Sequence, residues 1–284
     1  MEQRAVGILV LCAVLAGLSG ILIKMMPTMN ASNIGGLRMA LPVIGFGLYL
    51  KLQRIQIFRR NYKKMIFASG LNAFRLYFYF IAYIYTSVGS AAILFYCFPI
   101  FVALMGHWFL EERMSRSQWM FLFLAFCGLI VAYSHQSFSF DNSDFIGMSS
   151  ALVAGLGYAV TVVLFKSESQ NYNSSEMVFY QNLVGMFIFM PFLIKDYEAI
   201  SSHDIWFCLI YTFVVGFVVF KLFFIGLKYL DASIASSIMY LEIVSAIFFS
   251  YIFLGEKLSS NMILGGAMIV ISSFMINRLR TIKD

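Results

Sequence analysis

The sequence predicts an all-α membrane protein with ten transmembrane helices, arranged as two inverted five-helix repeats. Three observations carry this reading: the composition, the length of the apolar runs, and a stretch that occurs twice. The 284 residues are 61% hydrophobic and only 12% charged. A soluble domain carries about a quarter charged residues, so this chain has too few charges to cover a water-facing surface. Aromatic residues make up 18%, with 31 Phe, which suits lipid-facing sides and interfacial belts.

A helix needs roughly 20 apolar residues to cross a hydrocarbon core about 30 Å thick. Runs of that kind cover 5–25, 33–51, 65–86, 90–110 and 116–134, then 146–165, 175–195, 204–226, 232–254 and 260–278. The first is long enough to span and has no A-x-A exit, so it reads as a membrane helix and not as a cleaved leader. The longest connections are 52–64 and 135–145. The expected layout is a first repeat over 1–134, an external connecting loop over 135–145, and a second repeat over 146–284.

Orientation follows from Lys and Arg. Fourteen of them fall on the side of the chain ends, among them Arg54, Arg59, Arg60, Lys63, Lys64, Arg113 and Arg116. Three fall on the other side: Lys24, Lys195 and Lys257. The expectation is a multi-pass protein of the cell (inner or plasma) membrane with both termini cytoplasmic. The net charge of +6 is thereby a topology signal, and no nucleic-acid partner is expected.

The repeat is visible in two stretches, "YTSVGSAAILFYCFPIFVALMGHWFLEERMS" from Tyr85 and "YLDASIASSIMYLEIVSAIFFSYIFLGEKLS" from Tyr229. A shift of 144 residues superimposes them without a gap, pairing Tyr96 with Tyr240, Glu112 with Glu256 and Ser115 with Ser259. The same shift lays Arg38 on Asn182. Five helices per half is an odd number, so the second half enters the membrane from the opposite side. Inverted repeats of this kind underlie many secondary transporters, because exchanging the conformations of the halves opens a central site to each side in turn.

These stretches resemble the EamA repeat of the drug/metabolite transporter superfamily. The marks are the small-residue helix start, the mid-helix Pro99 of the first copy, and the closing Leu-x-Glu-basic-x-Ser. "GLRMALPVIG" resembles the Arg-containing second helix of that family. The resemblance implies a carrier of small metabolites and leaves the substrate open. Two positions depart from the pattern. Ile243 stands where the second copy often has Pro, which predicts a straighter ninth helix than fourth. Glu111 stands where the Gly of "LGE" is expected.

Candidate site residues are the charges within the membrane, where a mid-bilayer charge costs about 2.5–3.5 kcal/mol on insertion scales. Asn72, Arg75, Tyr79 and Tyr83 recur at helical spacing and share one face of the third helix. That face should look into a cavity or onto a partner helix, with Arg75 holding a substrate carboxylate or phosphate, or locked in an ion pair. Glu242, deep in the ninth helix, could take a coupling proton, pair with Arg75 or bind a substrate ammonium. Being two residues from Tyr240, it should not share that residue's face. Lys24, Arg38 and Lys221 are further basic candidates, with Lys24 also placed to anchor at the interface and Lys221 able to snorkel. Tyr96 and Tyr240 should flank the site symmetrically, and Tyr158, Gln181 and Asn182 add polar groups. Pro99 is a candidate hinge. Gly17, Gly20, Gly155 and Gly157 should let helices approach closely or bend.

Cys12, Cys97, Cys127 and Cys208 each lie in an apolar run, with no CxxC or Cys/His cluster, so no metal and no cofactor is expected. No GxxxxGK, HExxH or GxSxG motif occurs. The expected function is therefore not enzymatic: secondary active transport of a small anionic or zwitterionic metabolite, amino-acid-like or nucleotide-like, by alternating access. Four basic candidates against one acid favour that substrate over a cation. The alternatives are an exporter of cationic or hydrophobic drug-like compounds, or a facilitative exchanger without proton coupling. Expected partners are a small-molecule substrate, the lipid bilayer and protons, with the chain a monomer or homodimer.

Overall fold

A computed structural model describes residues 2–134, 142–196, 199–255 and 257–281. Ten helices among them are long and apolar enough to cross a membrane: α1 (Glu2–Lys24), α2 (Ala31–Leu52), α3 (Tyr62–Tyr85), α4 (Gly89–Phe109), α5 (Arg116–Tyr133), α6 (Asn142–Ser167), α7 (Ser174–Asp196), α8 (Ser202–Tyr229), α9 (Ala232–Leu254) and α10 (Ser260–Leu279). Each coincides with one of the apolar runs. Most of the connecting loop expected at 135–145 lies outside the described residues. With ten crossings, both ends of the chain emerge on one face, here called the terminal face; the other is the distal face.

The main helix pairs are α2 with α7, α3 with α6, and α5 with α10. Small residues set the closest approaches. A methyl on Gly128 of α5 would stand 2.7 Å from the Gly265 carbonyl oxygen of α10. One on Gly155 of α6 would stand 2.6 Å from the Phe95 carbonyl oxygen. Gly17 likewise abuts Ser245 and the Ala246 backbone, whereas Gly20 faces open space just past the α1 break and sets no close approach.

The two-fold relation between the repeats is visible in direct contacts. Arg38 donates to Asn182, and the Tyr240 hydroxyl donates to the Tyr96 backbone carbonyl. Both pairs are separated by 144 residues. A residue that touches its own repeat mate lies beside the axis relating the halves, which therefore runs between α2 and α7 and between α4 and α9.

Several spans are interrupted. Span α1 breaks between Ala16 and Ser19, α4 between Phe95 and Phe98, and α9 between Ile238 and Leu241; α8 carries a π-helical segment over Thr212–Val219. The α9 break falls at nearly the same place in its repeat as the α4 break, so the missing proline does not leave α9 uninterrupted. Without a proline, Met239, Tyr240, Glu242 and Ile243 each donate to the carbonyl three residues back, which tightens the turn. In α4, Pro99 sits in the first turn after the break, where its missing N–H leaves no bond unmade.

The repeated closing motif is a pair of caps. Ser115 caps α5 in a reciprocal box with Gln118, and Ser259 accepts from the Met262 amide at the start of α10. Glu112 reaches across the repeats: its carboxylate accepts from the amides of Ala232 and Ser233 at 2.7 and 3.1 Å and from the Ser233 hydroxyl at 2.9 Å. It thereby satisfies the N-terminus of α9. Glu256, its repeat mate, lies outside the described residues. Glu111 and Gly255, also repeat mates, both have positive φ, 58° and 64°, which explains the glycine expected at that position.

Ionic contacts tie α2 and α3 to α6 and α7 on the terminal face. Arg59 grips Glu176 with Nη2 at 2.8 and 3.0 Å and Nε at 3.2 Å. Lys64 and Asn61 both donate to Glu168. Burial works against the Glu168 charge, but hydrogen bonds from Asn171, Asn61 and Lys64 outweigh it and hold the carboxyl below its ordinary range.

Candidate functional site

Midway through the bundle lies a chamber lined by residues on both sides of every interruption. Ala16 and Ser19 flank the α1 break, Phe95 and Phe98 the α4 break, Met239 and Glu242 the α9 break, and Val215 and Val219 come from the π-helical segment. Irregular backbone at membrane depth is tolerated where it lines a cavity, and discontinuous helices meet at the binding sites of transporters.

Two cations line this chamber, Arg38 from α2 and Arg75 from α3. Only 2% of Arg38 and 4% of Arg75 is exposed. Neither forms an ion pair among the described residues; each is held by a neutral amide. Arg75 donates from Nε and Nη2 to Asn72 Oδ1 at 3.0 and 2.8 Å, and its guanidinium lies 4.3 Å over the Tyr158 ring. Arg38 donates from Nη1 to Asn182 Oδ1 at 3.1 Å and lies 4.7 Å over Phe220. The amide nitrogens donate to the Gln181 and Val178 carbonyls. This orients both Asn side chains with oxygen toward the arginine.

Tyr79, Tyr158, Tyr211 and Glu242 complete the polar lining. Phe98, Tyr158 and Phe223 add an aromatic wall: the Phe98 and Tyr158 ring centroids lie 4.7 Å apart, and those of Tyr158 and Phe223 6.5 Å. The chamber is tight, about 70 Å³. One water needs roughly 10–15 Å³ on such a measure, so a few waters fit and a metabolite would have to widen it.

A second chamber of about 220 Å³ adjoins it on the distal side. The two share Ala16, Ser19, Tyr79 and Glu242. Its own lining includes Lys24, Tyr83, Tyr96 and Tyr133, which lie toward the distal ends of α1, α3, α4 and α5. Glu242 thus borders both chambers. Its side-chain neighbour is the Tyr96 hydroxyl, and it makes no ion pair with either arginine.

The structure brings together Arg38, Arg75, Tyr79, Tyr158 and Glu242, with Tyr96 in the distal chamber. Asn72 and Asn182 stand one layer behind and position the arginines. Three further candidates do not line either chamber. Tyr240 is wholly buried with its hydroxyl on Tyr96, because two residues along a helix turn it to the opposite face from Glu242. The Gln181 side chain is buried elsewhere, its backbone carbonyl serving Asn72. The Lys221 ammonium lies 5.6 Å from the Phe46 ring and 6.0 Å from Tyr49. Among residues not singled out, Tyr211 and Tyr133 line the chambers. Tyr211 sits in the run "FCLIYTFVVGF", where its hydroxyl, beside that of Thr212 amid apolar residues, was the available signal.

The chain matches the EamA-like transporter family over residues 3–134 and 145–278. The chain belongs to that family. This EamA-type protein is similar to the uncharacterized transporter YoaV of Bacillus subtilis, 26% identical over 84% of this chain and 85% of that one. It is 24% identical to the pseudopaline exporter CntI of Pseudomonas aeruginosa, covering 89% of this chain and 88% of the relative. It is also 24% identical to an S-adenosylmethionine uptake transporter of Rickettsia conorii, over 65% of this chain and 60% of that one. A solved crystal structure shares the fold with a TM-score of 0.82 at 14% identity, covering 98% of this chain and 99% of that chain. The EamA-type chain is thus a multi-pass membrane protein of a transporter family.

Proposed function

We propose that this EamA-type protein is a secondary transporter that carries a small anionic or zwitterionic metabolite across the cytoplasmic membrane by alternating access. One observation carries the reading. Two guanidiniums line a single mid-membrane chamber, each held by a neutral amide, and the one carboxylate among its lining residues, Glu242, forms an ion pair with neither. Buried charge of that kind is costly unless it is paired, and a bidentate guanidinium fits a carboxylate or phosphate. Relatives named for export and for uptake both match this chain. Direction therefore follows from the gradients and not from the fold. Where a proton gradient drives the cycle, Glu242 is the chamber group able to carry the proton. The Lys- and Arg-rich terminal face is the cytoplasmic one in this reading.

The test is a thermal-shift screen of metabolites on the purified protein, since a ligand of the folded state raises its apparent stability. Carboxylate- or phosphate-bearing compounds should stabilise the wild type. Arg75→Ala should lose that response, and Arg75→Lys should keep only part of it, because Lys lacks the bidentate fork. An Ala variant that folds and responds like the wild type would dismiss the anion site.

A further inference from the structure

We infer that the distal chamber is a subsite for a cationic group, so that the whole site takes a dipolar ion. Its acid lies inward between Arg38 and Arg75, and its cation lies outward against Glu242. This rests on the anion-binding reading above and adds the second pole.

The lining of the two chambers differs in kind. The inner one has both arginines; the distal one has none and is walled by Tyr79, Phe80, Tyr83, Tyr96 and Tyr133. Tyr79 and Tyr83 lie with ring centroids 4.8 Å apart. Aromatic faces beside a carboxylate are the chemistry that holds ammonium and other organic cations. Glu242 supplies the carboxylate, since it borders both chambers.

The charges around Glu242 fit this division. The arginines share the inner chamber with it yet form no ion pair with it. Its carboxylate is thus left to the Tyr96 hydroxyl, and so to a ligand. Lys24 also lines the distal chamber. It lies five residues beyond the shared Ser19, about 7.5 Å along the α1 axis at 1.5 Å per residue, so its backbone stands toward the distal face. A ligand with an acid and no cation would place its charge near the Glu242 carboxylate with nothing between. Such repulsion discriminates against simple anions.

The experiment measures thermal shift and binding on the purified full chain, with amino acids and their des-amino counterparts as matched probes. Leucine with 4-methylpentanoate and tryptophan with indole-3-propionate are two such pairs, within a wider set of paired acids and zwitterions. The wild type should bind zwitterions more tightly than their des-amino partners by about 10- to 100-fold, the range for one hydrogen bond to a charged group. Glu242→Gln should erase that preference, weakening the zwitterions and strengthening the simple acids as the repulsion is lifted, and Glu242→Asp should restore part of it. A merely structural Glu242 would weaken both members of each pair alike. Equal binding of both members by the wild type, or a preference that survives Glu242→Gln, would overturn the cation subsite and leave the anion site standing. If no acid or zwitterion binds, or if Arg75→Ala binds them unchanged, the anion-binding reading falls and this inference with it.

Discussion

Replacing Glu112 by Ala should destabilise the protein substantially. The carboxylate accepts three hydrogen bonds, from the Ala232 and Ser233 amides and the Ser233 hydroxyl. Ala232 and Ser233 are 0% and 1% exposed, so water cannot replace the lost acceptor. Each orphaned buried amide costs about 1–3 kcal/mol, while the hydroxyl can turn to another acceptor. The sum is about 2–6 kcal/mol for Glu112→Ala. Glu112→Gln keeps one oxygen and should lose roughly half of that, and Ser233→Ala should lose about 1 kcal/mol, the net worth of one hydrogen bond. Melting temperatures in detergent should fall in the order Ala, then Gln, then Ser233→Ala, with Ala lowest. The carboxyl also has a pH signature. Burial pushes Glu112 above its ordinary range, against the hydrogen bonds from Ala232 and Ser233. The folded protein therefore holds this proton more tightly than the unfolded chain does. That contribution is fully present below the unfolded value and is lost as pH rises through the folded one. The wild type should gain on the Gln variant as pH falls through that window. An Ala variant melting with the wild type would refute the cap and the account of the repeated motif built on it.

Two further outcomes are expected. In Gly157→Ala a methyl would stand 2.8 Å from Arg75 Cβ; the arginine must shift off Tyr158, and binding of acidic ligands should weaken several-fold more than the melting temperature suggests, by thermal shift. For topology, a cysteine at Ser202 should react with an impermeant reagent added to intact cells, whereas one at Gln53 should react only after the membrane is opened; the reverse pattern would invert the assigned orientation.

The spans, the repeat and the candidate charges were legible because each is a local property. An apolar run long enough to cross a bilayer shows itself within about twenty residues, and a charge inside such a run stands out against its neighbours. The face shared by Arg75, Tyr79 and Tyr83 follows from helical spacing alone, as does the separation of Tyr240 from Glu242. Contacts between distant residues followed no such rule. Tyr96 and Tyr240 are equivalent by the repeat, yet only Tyr96 lines a chamber, because the rotation of each helix about its axis is set by its neighbours. The break in α9 occurs without a proline, at the place its repeat mate has one, so the sequence carried no breaker to read. Glu112 reads as a surface charge at a helix end until α9 is brought against it from 120 residues away. Which amide holds which arginine, and that Glu242 stands apart from both, was likewise decided by packing across the repeats. Pairing between residues more than a hundred positions apart leaves no period in the sequence, and only the assembled bundle specifies it.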